Sequence, residues 1–267
     1  MLVALHDGMR VEAWVAEKGP AYVCPNCNAA VILRKGRIVT HNFAHKPPVT
    51  CSWASGETQA HLKAKKALRD LFTGRGLRVE VEAEVLSDGG DRRADVLVWG
   101  RNGRAVAFEV QHQPLDFGTI DRRTRAYMAA GVPVVWVALI KGEALAEAKS
   151  TPAGRVIPRY SVRPWEKWAH AYAMGSLWFI EPESGELWRG ELKEHRIEVP
   201  YSSWYTSGGD EESAGGYSYS SRRWRTLHLA GPIEPGSITV EPFARKPWSS
   251  KVFSVPGGQA ARLKVAE

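Results

Sequence analysis

Apolar and polar residues alternate strictly from Arg78 to Leu86: Val79, Val81, Ala83 and Val85 are separated by Glu80, Glu82 and Glu84. A period of two places successive side chains on opposite faces, so this segment reads as a half-buried strand whose three glutamates are solvated, the alternative being that one of them joins a metal site. Ala94–Trp99 and Ala105–Val110 are instead apolar on both faces, as buried strands are, and they flank Gly100-Arg101-Asn102-Gly103-Arg104. That is a hairpin whose best loop is Arg101–Gly103, with Gly103 in the left-handed conformation of a bulge. The register then pairs positions whose numbers sum to 204 and sets Asp95 opposite Glu109. The period lengthens in two places. Leu62, Ala64, Leu68, Leu71 and Phe72 predict a helix over 56–73, capped by Ser55 and stopped by Gly74 and Gly76. A second helix is expected over 116–130, capped by Asp116 and stopped by Gly131 and Pro133. Val132–Ile140 follows as a buried strand, and a helix joining two strands favours a parallel crossover. The order is helix, three strands, helix, strand.

The flanks are less regular. Val11, Ala13 and Val15 alternate with polar residues, Ala21–Val23 leads into the first cysteine, and a strand is expected over Arg37–Thr40. Beyond residue 140, a helix over Pro164–Ala173 precedes a hairpin, Ser176–Ile180 with Glu186–Gly190, as a small accessory α+β region or sheet extension. Residues 201–226, rich in Ser, Gly and Tyr, read as a flexible linker. Their Tyr, Trp and Arg residues offer a second reading, stacking on single-stranded bases. Residues 227–267 are short strand-like pieces broken by Pro and Gly. The expected domains are 1–55, 56–140, 141–200 and 201–267. The longest apolar run, Val132–Ile140, is far short of the roughly 20 residues of a membrane span. With no charged start and long apolar core at the N-terminus, a cytoplasmic protein is expected.

Charge and cysteine usage then suggest a chemistry. A formal net charge of +7 favours an anionic partner. In a reducing compartment the three cysteines are metal ligands or free thiols rather than disulfides. Cys24-Pro25-Asn26-Cys27 is a C-x-x-C knuckle, and Cys51 with a histidine completes a tetrahedral Zn2+ site. His41 and His45 are both available. His45 is chosen for its nearness to Cys51, giving Cys24, Cys27, His45 and Cys51 as a closed structural site. Opposed residues on a hairpin have Cβ atoms roughly 4.5–5.5 Å apart, and two carboxylates that close repel unless a cation lies between them. Asp95 and Glu109 therefore read as ligands of a second, divalent metal, with Gln111 on the Glu109 face. Glu57, His61 and Lys65 recur every four residues and share one helix face, either a solvated stripe or a set aimed at the hairpin. Arg122, Arg123 and Arg125, with Tyr127 one turn beyond Arg123, make the second helix a phosphate-binding or solvated basic face.

The order of elements is that of the PD-(D/E)XK, or restriction-endonuclease-like, fold. The motifs resemble the competence protein CoiA family: Cys24/Cys27; Asn42-Phe43-Ala44-His45; Glu57, His61, Lys65; Arg92-Arg93-Ala94-Asp95-Val96; Glu109-Val110-Gln111; Arg123-Thr124 with Tyr127; and Val134-Val135-Trp136-Val137. Asn42 stands where that family has the first histidine of H-F-A-H. The resemblance spans roughly 20–140 and implies an α/β, αβββαβ nuclease-like core with an N-terminal zinc-binding subdomain and a β-rich C-terminal extension. It implies a metal-dependent nuclease that hydrolyses DNA in uptake, recombination or defence. The alternative is a non-catalytic DNA-binding protein on a nuclease-like scaffold. Asp95, Glu109 and the Val110 carbonyl would hold Mg2+ or Mn2+, together with Glu57. Gln111 would position water, His61 would act as general base, and Arg92, Arg93 and Arg123 would bind flanking phosphates. Gln111 stands where the wider fold has a lysine, so Lys65 or His61 would take up part of that role. The partners are DNA and, further, recombination proteins or a second copy of the chain.

Overall fold

The computed structural model describes residues 1–54 and 57–266. Five short strands open the chain: β1 (Val3–His6), β2 (Met9–Glu12), β3 (Tyr22–Val23), β4 (Ala30–Arg34) and β5 (Asn42–His45). They form an antiparallel sheet in the order β2-β1-β3-β4-β5 around Ala4, Tyr22, Phe43 and Trp53. The strand expected over Arg37–Thr40 is a bend instead. Gly36 and the flanking Lys35 and Arg37 interrupt the ladder there, and pairing resumes at Asn42, so His45 lies on β5 itself.

The central elements are α1 (Gln59–Thr73), β6 (Arg78–Val85), β7 (Arg92–Trp99), β8 (Ala105–Gln111), α2 (Phe117–Ala129) and β9 (Val134–Leu139). Pairing is antiparallel for β6–β7 and β7–β8 and parallel for β8–β9, which is the expected order and crossover. The hairpin keeps its expected register from Val96 opposite Phe108 to Trp99 opposite Ala105, but the ladder stops there, so the expected Asp95–Glu109 pair is not part of it and Asp95 takes the Val110 N–H instead. Gly103 has φ +74° at the loop. Asp116 caps α2 by accepting the Thr119 N–H. Thr58 caps α1, its hydroxyl accepting the His61 N–H at 3.2 Å. Ser55, the expected cap, lies outside the described residues.

The rest of the chain extends this sheet. After α3 (Gly142–Ala146), β10 (Lys149–Thr151), β11 (Gly154–Ser161) and α4 (Pro164–Tyr172) come β12 (Leu177–Ile180), β13 (Leu187–Val199), β14 (Ser202–Tyr205), β15 (Glu211–Ala214) and β16 (Tyr217–Ile233). Nine strands run in the order β10-β11-β16-β13-β12-β9-β8-β7-β6. Residues 201–226 are therefore strands and turns rather than a linker. Ser, Trp and Tyr suit an extended chain, and glycine pairs (Gly208-Gly209, Gly215-Gly216) take the turns. The C-terminal strands are β17 (Ile238–Arg245), β18 (Trp248–Ser249), β19 (Ser254–Val255) and β20 (Gly258–Val265), with β17 pairing β20 and β18 pairing β19.

Two cores sandwich the sheet. One packs Leu62, Leu68 and Phe72 of α1 on Val96, Phe108 and Val135. The other packs Tyr127 of α2 and Trp165 and Trp168 of α4 on Leu97, Ala107, Trp136 and Phe179. Strict alternation fails within β6 and β7 beside α1. Val81 and Ala83 face opposite cores although two residues apart, and so do Val96 and Ala94. Glu82 between the first pair has φ +52°. This switch turns Glu82 and Asp95 toward α1.

Candidate functional site

Helix α1 supplies His61 and Lys65 to the switched strands, and Glu57, expected on the same helix, lies just before its Thr58 cap; all three are used inward. Lys65 is fully buried, with its Nζ 2.6 Å from Glu82 Oε1, 2.5 Å from Glu57 Oε1 and 3.7 Å from Asp95 Oδ1. His61 donates from both ring nitrogens, Nδ1 to Glu57 Oε1 and Nε2 to Asp95 Oδ2, each at 3.2 Å. An imidazole with a carboxylate on each nitrogen is an imidazolium. Burial opposes that charge, but Asp95 and Glu57 prevail and raise its pKa to about 9. Free neutral imidazole, the form a general base needs, is thus not the resting state of His61. Burial likewise disfavours the Asp95 carboxylate, yet His61 and Lys65 bring its pKa down to about 2. Asp95 Oδ2 also accepts the Val110 N–H at 2.8 Å, where β7 and β8 part.

Glu82 is the residue that alternation misassigned. It is fully buried rather than solvated, and its carboxylate joins Lys65 to the Leu2 and Val3 N–H groups of the N-terminal sheet at 2.8 and 3.3 Å. Nothing in its local sequence distinguishes it from Glu80 and Glu84. Only the lysine it must neutralise does so.

Glu109 is held from the opposite side of the sheet. Arg123 pairs with one carboxylate oxygen and the Tyr127 hydroxyl donates to the other. Burial and the nearby Asp95 charge raise its pKa against the pull of Arg123. The two acids predicted to share one metal thus each have protein partners. The R-T-x-x-Y spacing is also explained, because Thr124 accepts the Trp136 indole N–H at 3.1 Å while its neighbours hold Glu109. Tyr127 is fully buried, so it supports Glu109 and does not reach a surface where phosphate would lie. Arg122 and Arg125 are exposed on α2, Arg125 tied to Asp121 at 2.7 Å. Arg92 bonds the Asp91 carbonyl, and Arg93 lies over the Trp53 ring, 4.5 Å from its centroid. Gln111 donates its amide to the Gln113 carbonyl at 2.9 Å. His112, which no sequence motif singled out, stacks at 5.2 Å on His61, and burial together with the His61 charge lowers its pKa.

Ligand atoms of Glu57, His61 and Asp95 lie within 4.8 Å of one another. Glu57 Oε2 is buried and accepts no hydrogen bond among the described residues, although the Met1 ammonium lies 3.2 Å from it. Three acids (Glu57, Glu82, Asp95) face three cations (His61, Lys65 and the Met1 ammonium), so the group is balanced at rest. A divalent ion that took the place of the His61 proton would leave it with one positive charge, which an anionic ligand would offset. Two carboxylates and an imidazole whose ligand atoms converge within 4.8 Å fit such an ion. In the N-terminal sheet, atoms of Cys24, Cys27, His45 and Cys51 also lie within 4.8 Å. A tetrahedron with Zn–S bonds of about 2.3 Å has sulfur–sulfur edges of about 3.8 Å. Cys24 and Cys51 Sγ are 3.8 Å apart, and Cys27 Sγ is 3.3 Å from His45 Nε2. The donor set fits zinc.

Two family models match the chain. Residues 7–54 match the N-terminal domain of competence protein CoiA, and residues 57–157 match its nuclease-like domain. No curated protein and no solved structure matches. No helix among the described residues is long and apolar enough to cross a membrane.

Proposed function

Since the chain belongs to the competence protein CoiA family, we propose that it is a metal-dependent nuclease of the restriction-endonuclease-like type, hydrolysing DNA phosphodiester bonds. The supporting observation is the enclosed group of Glu57, His61 and Asp95 over Lys65 and Glu82, whose ligand atoms converge within 4.8 Å. Glu57, His61 and Asp95 would hold the divalent ion, with Glu109 on the other side of the sheet acting on the group through its charge. A bound ion would polarise a phosphate oxygen and acidify a water. One imidazole with two carboxylates is a softer donor set than the oxygen ligands Mg2+ prefers, which favours Mn2+. Lys65 stays charged and fixes Asp95 and Glu57. Arg123 and Tyr127 fix Glu109, while Arg122 and Arg92 would bind flanking phosphates. Cys24, Cys27, His45 and Cys51 would hold a structural Zn2+.

A second reading, a DNA-binding protein that does not cleave, is favoured by Gln111. Its amide turns to Gln113 instead of supplying a lysine-like charge. The deciding experiment is cleavage of labelled single-stranded, duplex and branched DNA with Mn2+ or Mg2+, wild type beside Asp95→Asn and Glu109→Gln. Metal-dependent cleavage lost in both variants supports the nuclease. Binding that persists in all three proteins with no cleavage of any substrate leaves the second reading.

A further inference from the structure

The distal half of the β13–β16 ribbon projects beyond β11, whose pairing with β16 stops at Trp224. There Ile197 and Val199 pair with Tyr219 and Tyr217, and β14 and β15 form a second hairpin at the tip. Five exposed large aromatics (Tyr201, Trp204, Tyr205, Tyr217, Tyr219) lie within this arm, against one, Trp248, in the rest of the described residues. That concentration is unlike a solvated ribbon, because each ring left in water forgoes burial.

At the root of the arm, Ser221–Trp224 bulges out of register between Arg196 and Glu194 on β13. Arg159 and Arg223 flank the Trp224 ring at 4.6 and 4.5 Å from its centroid, and Arg222 is exposed beside them. Lys167 of α4 donates to the Arg222 carbonyl at 3.3 Å. One turn earlier, Arg163 stands at the N-terminus of α4. The only acid of α4, Glu166, is buried and already bonded to Tyr160 and Arg163. A basic path therefore runs from Arg163 and Lys167 of α4 to the bulge, and beyond it lies the aromatic arm, where Glu211 and Glu212 pair with Tyr205 and Trp204.

We propose that this path is a track for single-stranded nucleic acid, with bases stacking on the arm and phosphates following the bulge and α4 toward the Glu57–His61–Asp95 group. Stacking needs unpaired bases, whose faces any aromatic ring accepts, and duplex DNA hides those faces. The track lies largely outside residues 57–157, so it is a feature of this chain beyond the matched domains. It names the substrate of the proposed nuclease and rests on that reading.

The test uses the full chain with a fluorescent oligothymidylate and a duplex of equal length, in buffer without added divalent metal. Binding is read by anisotropy, and cleavage is read separately with Mn2+. Tyr217→Ala/Tyr219→Ala removes two exposed rings and should weaken single-strand binding about tenfold or more, with duplex binding unchanged. Arg222→Ala/Arg223→Ala should weaken it too and flatten its salt dependence by about 0.7 for each phosphate no longer neutralised. Unchanged single-strand binding in the tyrosine variant overturns the track, as does equal loss on duplex. A change of oligomeric state without a change in binding would make the arm a self-association element and also overturns it. If wild type binds through the arm but cleaves nothing, the track stands as a binding surface and the nuclease reading alone falls.

Discussion

Lys65 is a buried cation shared by three carboxylates, and its removal is the sharpest test of the site's electrostatics. Lys65→Met should cost about 3–5 kcal/mol in urea unfolding, because Glu82, Glu57 and Asp95 lose their common partner. Mn2+ should restore more stability to this variant than it adds to wild type, since the ion supplies the missing charge. His61 makes a separate, pH-dependent contribution. Its folded pKa is raised from 6.5 to about 9 by its two carboxylates, once burial is overcome. A raised pKa contributes stability that is complete below the unfolded value and is lost as pH climbs through the folded one. Thermal melts without added divalent metal should therefore show Tm falling between pH 6.5 and about 9. His61→Gln should be less stable at pH 6 and flat over that window. An identical slope in the variant would mean that another group titrates there.

The β7–β8 hairpin shows how far local sequence reaches. Its loop residues and two-sided apolar strands fix both register and turn, and Gly103 at φ +74° sits where the loop needs a left-handed residue. Gly103→Val should cost about 1–2 kcal/mol by denaturant unfolding, the price of a side chain in that conformation. The same reasoning failed one strand away. Period two assumes an unbroken pleat, and the left-handed Glu82 breaks it, so a fully buried acid read as a solvated one. The partner that makes it buried, Lys65, is on another element and lies beyond any local window. On α2 the inward contacts were out of reach of local sequence for a related reason. Arg123, Thr124 and Tyr127 are polar in composition but turn inward, because Glu109 and the Trp136 indole must be satisfied across the helix–sheet interface. Tyr127→Phe should therefore lower the kcat of Mn2+-dependent cleavage while leaving KM for DNA near wild type. A phosphate-binding tyrosine would show the reverse.

On the scale of the molecule, the N-terminal sheet is wired into the central site rather than tethered to it. Glu82 takes the Leu2 and Val3 N–H groups, Arg10 reaches the Val81 carbonyl at 2.8 Å, and Gln59 at the start of α1 takes the Thr40 N–H at 2.8 Å. Arg93, two residues before Asp95, stacks on Trp53 next to the Cys51 ligand. Each contact joins a backbone or side chain ordered by the Cys24–Cys27–His45–Cys51 sheet to a residue bonded to, or adjacent to, the Glu57–His61–Asp95 group. A small five-stranded sheet carrying a Cys3His cluster would gain much of its order from a metal held there. Disordering it would free Glu82 from two of its three partners and loosen Lys65. Cys27→Ser/Cys51→Ser should consequently reduce amide protection by hydrogen exchange at β1 and also at the first turns of α1, with β12 and β13 unaffected. Cleavage should fall in step with that loss. Protection lost in β1 alone, with α1 and cleavage intact, would show that the two sheets are energetically independent and that Glu82 holds Lys65 without help from the N-terminal strands.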